Sequence, residues 1–414
     1  MPVPTHVPED LVVDFDVHDP TLVATPTAWQ ERAAELRHKA PVVYSQSKKG
    51  YWVVTRYDLV CEVLRDATTF SSFPNDLANV SQGRLMPIEL DPPEHTVMRK
   101  VLLPLFTPKR LQEIEPRVRA TINDLIDQFC EKGECEFVEA FAHALPTRVF
   151  LELMGWPLED AEMFSETTDI ALQGLPGKSA EESQQAQAEA AFKVYGYFAD
   201  VIERVKRGDY DMGSLTAQII LAPIEQPDGS TRELTVAELG QMFFLLAIAG
   251  LHTTQGSLAW SIINLASNPD QRADLVANPD HIPAAVEEIL RYEAAASLGR
   301  RATRNTMLGD VQIAEGDQIL LLLSSANRDA DHFSNAGELH IDRTPNHHVS
   351  FGMGVHRCLG SHLARQELRL ALEELHKRIP DYELVDGDPP RMTGTQVRSC
   401  AYLPIQFTPT PRLG

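Results

Sequence analysis

The stretch SFGMGVHRCLG, residues 350–360, sets Gly352, Gly354 and Gly360 around one thiol, Cys358, with His356 and Arg357 just ahead of the sulfur. Glycine takes backbone angles that other residues avoid, so the chain can fold tightly around the sulfur and turn its N–H groups inward. It also lets a flat ligand come close to the backbone. A helical pattern runs from about Cys358 to Arg378. A thiol at its N-terminus meets the positive end of the macrodipole and free amide groups, and both favour the thiolate. Such a thiolate serves as a nucleophile or as a metal ligand. A nucleophile needs a base, and His356, the local candidate, is poorly placed two residues away. The bland reading is a small buried hydrophobe.

Three further segments carry groups that can do chemistry. In AIAGLHTTQG, residues 247–256, His252, Thr253 and Thr254 interrupt a long apolar helix. A polar group in a buried helix costs about 1–3 kcal/mol if unpaired. A threonine hydroxyl can bond back to a helix carbonyl and bend the helix, and a local bulge there would open a groove. In EHTVMR, residues 94–99, His95 and Arg99 share one helical face, where two cations repel unless an anion lies between them. GRRAT, residues 299–303, adds Arg300 and Arg301. Each of these alone reads as solvated surface. In EEILR, Glu288 and Arg291 are three apart on a helix and can pair, which by itself is a common surface arrangement.

These groups are positioned mostly by helices. Helical patterns cover AWQERAAELRHKA and YDLVCEVLRD, then about 112–131, 138–155, 158–174, 180–207, 235–268 and 282–293. Asp91, Pro92 and Glu94 predict a capped helix start ahead of residue 95. GYWVVTRY reads as a strand, NTMLGDVQIAEGDQILLLL as a hairpin, and QVRSCAYLPIQF as a terminal strand pair. Residues 70–90 show no period and form a long loop, a feature that compact proteins keep for function. Residues 1–25 form an extended N-terminal arm.

The chain has 414 residues and a net charge of −22, which argues against nucleic acid or an anionic membrane as partner. Hydrophobic residues make up 43%, enough for a sizeable core. Five cysteines and no CxxC pair fit reduced thiols in the cytoplasm. The N-terminus shows no signal-peptide pattern. The longest apolar run, Met242 to Leu251, falls short of the ~20 residues of a membrane span. No repeat or low-complexity linker divides residues 1–414, so one domain is expected.

FGMGVHRCLG is similar to the heme-binding signature of the cytochrome P450 superfamily, Phe-Gly-x-Gly-x-His/Arg-x-Cys-x-Gly. The likeness runs from about residue 25 to the C-terminus, and CEFVEAFAHALPTRVFLELMGWP resembles the bacterial soluble branch that includes the camphor hydroxylase. It implies a predominantly α single-domain cytochrome P450 fold with small β-sheets, holding heme b with Cys358 as the axial iron ligand. It implies that His95, Arg99, Arg300 and His356 hold the heme propionates, Arg300 being preferred over Arg301. Glu288, Arg291 and Arg343 become a structural triad behind the heme. Thr253 becomes a proton-delivering residue. The family's usual acid before it is replaced by His252, whose imidazole could relay protons at neutral pH.

The pocket implied is lined by Leu85, Leu245, Ile248, Ala249, Ala296, Leu298, Ser399 and Cys400, with Arg84 able to meet a carboxylate. The activity implied is insertion of one oxygen atom from O2 into a C–H bond of a small-to-medium apolar substrate: terpenoid, aromatic or steroid-like. No fused reductase or ferredoxin module is expected, so electrons from NAD(P)H would arrive through a separate ferredoxin and ferredoxin reductase. Arg99, Lys100, Lys109, Arg110 and Arg357 are the candidate docking residues of a monomer. The alternatives are a peroxide-driven or non-hydroxylating heme-thiolate enzyme, and a heme-based binding or sensor protein.

Overall fold

The central helix, Val236–Ala266, runs continuously for 31 residues in the computed structural model, about 46 Å at 1.5 Å per residue. The structure describes residues 3–77, 84–175, 178–226, 228–394 and 396–413. Thr235 starts this helix: its hydroxyl accepts from the Glu238 N–H, while the Glu238 carboxylate accepts from the Thr235 N–H. Arg232 holds Glu238 with two hydrogen bonds of 2.8 and 2.6 Å. By length and composition alone the helix could cross a membrane. Helices Ala144–Met154, Ala180–Arg207, Ile282–Tyr292 and Ser361–Arg378 and strand Arg398–Tyr402 pack against it instead. Its apolar faces are therefore core, as burial in a helical domain requires.

Beside the helices lies a sheet of six strands in the order Val12–Val13, Val42–Ser45, Tyr51–Val54, Gln318–Leu321, Leu298–Ala302, Phe70–Ser71. Leu298–Ala302 pairs antiparallel with Gln318–Leu321 and carries Arg300 on its buried face. The N-terminal stretch lies along this sheet, with Val7, Phe15, Val17 and Leu22 buried. The molecule is thus predominantly helical with small sheets, as expected.

Four local expectations change. Asp91 does not cap the helix Glu94–Leu102, whose N-cap is Pro93. Its carboxylate instead accepts from the Ser71 hydroxyl at 2.5 Å and the Ser72 N–H at 2.9 Å, a tertiary competitor that the capping pattern could not reveal. The last helix begins at Ser361, three residues after Cys358, so the thiol sits in the loop before it. The two C-terminal strands do not pair with each other: Arg398–Tyr402 pairs with Arg391–Gly394, and Pro404–Gln406 with Glu134–Glu136 and Glu383–Leu384. No bulge interrupts the central helix. A helix not expected, Pro269–Ala277, begins on Pro269, where a missing N–H costs nothing.

Candidate functional site

The loop around Cys358 closes on itself. Cys358 donates its backbone N–H to the Phe351 carbonyl at 2.8 Å, and Arg357 donates to Gly354 at 3.2 Å. Gly354 has φ +66, and a Cβ there would fall 2.6 Å from the Leu64 carbonyl oxygen, so only glycine fits. The Gly360 N–H reaches back to the Cys358 sulfur. Cys358 is exposed by surface area, yet burial pushes its thiol pKa up against the pull of that N–H and of Arg99, Arg365 and Arg357. Both hold where a sulfur is reachable from solvent while protein atoms crowd around it. A thiol so placed is a poor free thiolate, and a metal cation would drive its deprotonation.

Four basic side chains converge beside the loop. The rings of His95 and His356 stand 4.1 Å apart between centroids. His95 Nδ1 and both nitrogens of His356 are buried without a partner. Arg300 is 3% exposed and donates to the Gly299 carbonyl at 2.7 Å. Arg99 donates to the Arg357 carbonyl at 2.5 Å. Burial, then the positive charges of Arg300, His95 and Arg99, push the His356 pKa down to about 3. Burial lowers Arg300 to about 10 against the pull of Asp91, and burial and Arg99 lower His95 against the same carboxylate. Cations left buried and unpaired are costly, so the cluster calls for an anion. Arg301, by contrast, is exposed.

The central helix opens in its middle. Leu245, Ile248 and Thr253 are half-buried and Ala249 and Gly250 exposed, between turns that are buried. A Cβ added at Gly250 would meet nothing within 4 Å. The helix does not bulge here; small residues leave the space. The Thr253 hydroxyl donates to the Ala249 carbonyl at 2.8 Å, the back-bonding open to a helical threonine.

Of the other residues proposed to line a pocket, Leu85, Ala296 and Leu298 are half-buried. Ser399 and Cys400 are 2% and 0% exposed, and Ser399 lines a small cavity with Trp29, Trp260 and Met392. The Cys400 thiol faces the Arg391 and Tyr402 carbonyls at 3.4 and 3.2 Å, so hairpin pairing, not a hollow, accounts for it. Arg84 lies 4.5 Å over the Phe73 ring. Residues 78–83 of the long loop lie outside the described residues.

Glu288, Arg291 and Arg343 come together. Arg291 grips Glu288 with two bonds of 2.7 Å, and Arg343 adds a third at 2.9 Å. Among the docking candidates, Lys100, Lys109 and Arg357 are exposed. Arg110 is mostly covered, donating to the Leu153 carbonyl at 3.3 Å.

Two residues that sequence reasoning missed bear on His252. Its Nε2 lies 2.7 Å from Asp169 Oδ1, and His143 Nε2 lies 3.0 Å from Asp169 Oδ2. Asp169 is 83 positions from His252 on a separate helix, Ala161–Gln173, and no local pattern marks it.

Comparison with known proteins gives the class. The family model described as Cytochrome P450 matches residues 158–379. Mycinamicin IV hydroxylase/epoxidase of Micromonospora griseorubida is 33% identical, over 89% of this chain and 91% of that one. The steroid C26-monooxygenase of Mycobacterium tuberculosis is 31% identical, over 97% and 99%. The crystal structure of cytochrome P450 CYP101C1 superposes with a TM-score of 0.84 at 30% identity, covering 98% of this chain and 99% of that one. The chain belongs to the cytochrome P450 family and is a cytochrome P450 monooxygenase.

Heme b, the cofactor of this family, fits the residues present. Its two propionates are anions of the kind that the unpartnered nitrogens of His95 and His356 and the guanidinium of Arg300 lack. Its iron accepts a thiolate such as Cys358 would supply. Its flat ring suits the open stripe of the central helix.

Proposed function

We propose that this protein inserts one oxygen atom from O2 into a C–H bond of a small-to-medium apolar substrate, with electrons from a separate ferredoxin and ferredoxin reductase in the cytoplasm. When bound, the heme supplies the oxidant; the chain supplies position, dryness and protons. The observation that carries this reading is the opening of the central helix at Leu245, Ala249, Gly250 and Thr253. The wall is apolar except for one hydroxyl, which suits an apolar ligand.

In this reading Cys358 would hold the iron, and His95, Arg99, Arg300 and His356 would hold the propionate carboxylates. Leu85, Leu245, Ile248, Ala296 and Leu298 exclude water and orient the substrate. The Thr253 hydroxyl donates to the Ala249 carbonyl and keeps its lone pairs free to accept and pass on a proton. Lys100, Lys109 and Arg357 offer an exposed basic rim, on a molecule of net charge −22, to a small acidic electron donor. We read residues 1–414 as one heme unit that works as a monomer.

Among the three substrate classes, the relatives favour the steroid-like end. One is named a steroid C26-monooxygenase. The structure of CYP109E1 from Bacillus megaterium, 29% identical with a TM-score of 0.80 over 91% of this chain and 98% of that one, was solved with corticosterone. The test is a spin-state titration of the purified ferric protein against terpenoids, aromatics and steroids. A low-spin to high-spin shift is expected with steroids at micromolar concentration. A heme-loaded protein silent to all three classes would overturn the substrate assignment.

A further inference from the structure

His252 stands next to Thr253 on the central helix, yet it faces a carboxylate. Asp169 stands between two imidazoles: its Oδ1 is hydrogen-bonded to His252 Nε2 at 2.7 Å, and its Oδ2 lies 3.0 Å from His143 Nε2 as an ion-pair contact without a hydrogen bond. Burial alone would raise the Asp169 pKa, but the contacts and charges of the two histidines outweigh it and hold the group well below the usual carboxylate range. An ionised carboxylate only accepts hydrogen bonds. His252 must therefore carry its proton on Nε2 when neutral. The other nitrogen, Nδ1, is buried without a partner, on a side chain whose residue is 4% exposed.

A cavity of about 320 Å³ opens from solvent beside Asp169 and His143, lined by Glu136, Glu139, His143, Asp169, Gln255 and Tyr402 among others. It touches the central helix at Gln255, three residues beyond His252. The remaining ionisable groups near the trio are Glu136 and Glu139, ahead of His143, and Tyr402, whose hydroxyl donates to Asp388 at 2.5 Å. Arg398, on the same strand as Tyr402, is turned to Glu293 at 3.5 Å.

We propose that Asp169 is a positioning residue for proton delivery: it accepts the Nε2–H of His252 and so leaves Nδ1 as the nitrogen that exchanges protons with the hollow beside Thr253. The imidazolium of His252 gives up its proton from Nδ1, and the Nε2–H stays hydrogen-bonded to Asp169 throughout. Nδ1 takes up its replacement from water that the His143 cavity admits to the flank of the helix. The inference rests on the proposed role of Thr253 and His252 in proton supply, and it adds the group that fixes which nitrogen works. A wrong tautomer is costly whenever a histidine must hand on a proton from one defined side.

The test uses ¹⁵N-labelled, heme-loaded protein as its ferrous carbon monoxide complex, whose absorption spectrum also checks that each variant is folded. The imidazole nitrogen shifts of His252 should report the Nε2–H tautomer. Asp169→Asn should move them toward the Nδ1–H form, since an amide can donate to Nε2. It should also raise the share of electrons lost to peroxide, cutting coupling about 10-fold. Asp169→Glu should restore the tautomer and part of the coupling. A native Nδ1–H tautomer, or an Asp169→Asn variant with tautomer and coupling unchanged, overturns the inference. If the tautomer behaves as expected and His252→Phe leaves coupling untouched, the proton route through His252 is what fails.

Discussion

Glu288 and Arg300 are buried to the same degree, 0% and 3% exposed, yet their surroundings are opposite. Glu288 accepts five hydrogen bonds: two from Arg291, and one each from Arg343, Asn346 and the His340 N–H. Arg291 spends its remaining donors on the Asn327, Ala336 and Glu338 carbonyls. Here the charges are complete without any ligand. At Arg300 the neighbours His95, Arg99 and His356 are all of one sign when charged, Asp91 is the one opposing charge felt there, and three of the imidazole nitrogens have no partner. A buried charge cluster that balances itself holds the fold; one that does not is shaped around a guest. Both are visible as basic residues in the sequence, and only their partners separate them.

The largest effect should come from breaking the balanced cluster. Glu288→Ala leaves Arg291 and Arg343 uncompensated where water does not reach, a loss of about 3–5 kcal/mol for a broken buried pair. Urea denaturation of the heme-loaded protein measures it, and a loss under about 1 kcal/mol would erase the contrast. Arg300→Gln should act the other way round. The heme-free protein should be no less stable, because a repelling cation has gone. Heme affinity should fall about 10-fold or more, the worth of one charge-assisted bond, read as faster transfer of heme to a competing apoprotein. Arg301→Ala, one residue along and exposed, should change neither. If Arg300→Gln destabilises the heme-free protein as much as the loaded one, Arg300 is a structural residue like Arg291.

The sequence carried this contrast unevenly. The glycine-ringed Cys358 was legible because its neighbours are local: Gly352, Gly354 and Gly360 act within ten residues. Glu288–Arg291 was legible as a helical pair, and residues 180–207 as a helix, which the structure contains as Ala180–Arg207. What failed was non-local. Asp91 looked like a cap, but Ser71 and Ser72 compete for it through a fold that brings residues 20 positions apart together. Cys400 was expected to line the pocket from the family resemblance alone, and its place on a strand paired with Met392, with its thiol facing the Arg391 and Tyr402 carbonyls, could not be read from its neighbours in sequence. The His143–Asp169–His252 trio joins three segments, none with a pattern of its own. Contacts across helices have no periodicity to read, and they are where most of the site's chemistry is tuned.

That trio is the intermediate case: one anion between two imidazoles, near balance but partly wet. Its stability effect should be the smallest and should depend on pH in a defined way. The Asp169 pKa is depressed in the folded protein, so its contribution is present above the unfolded value, about 4, and is lost as pH falls below that. Burial would lower His143, but the contact and charge of Asp169 outweigh it and raise the group. Its contribution is therefore full below the unfolded value, about 6.5, and is lost as pH rises through the higher folded one. The two conditions overlap between about pH 4 and 6.5. Asp169→Asn should cost most stability in that window and less on either side. Because the Asp169 side chain is 37% exposed, solvent screening limits the loss to about 0.2–1 kcal/mol. Urea midpoints of native and variant protein from pH 4 to 9 would show the difference shrinking toward alkaline pH. A difference that stays flat across that range would mean that the carboxylate is held by something other than the imidazoles, and the trio would then belong with the self-balanced clusters rather than between the two kinds.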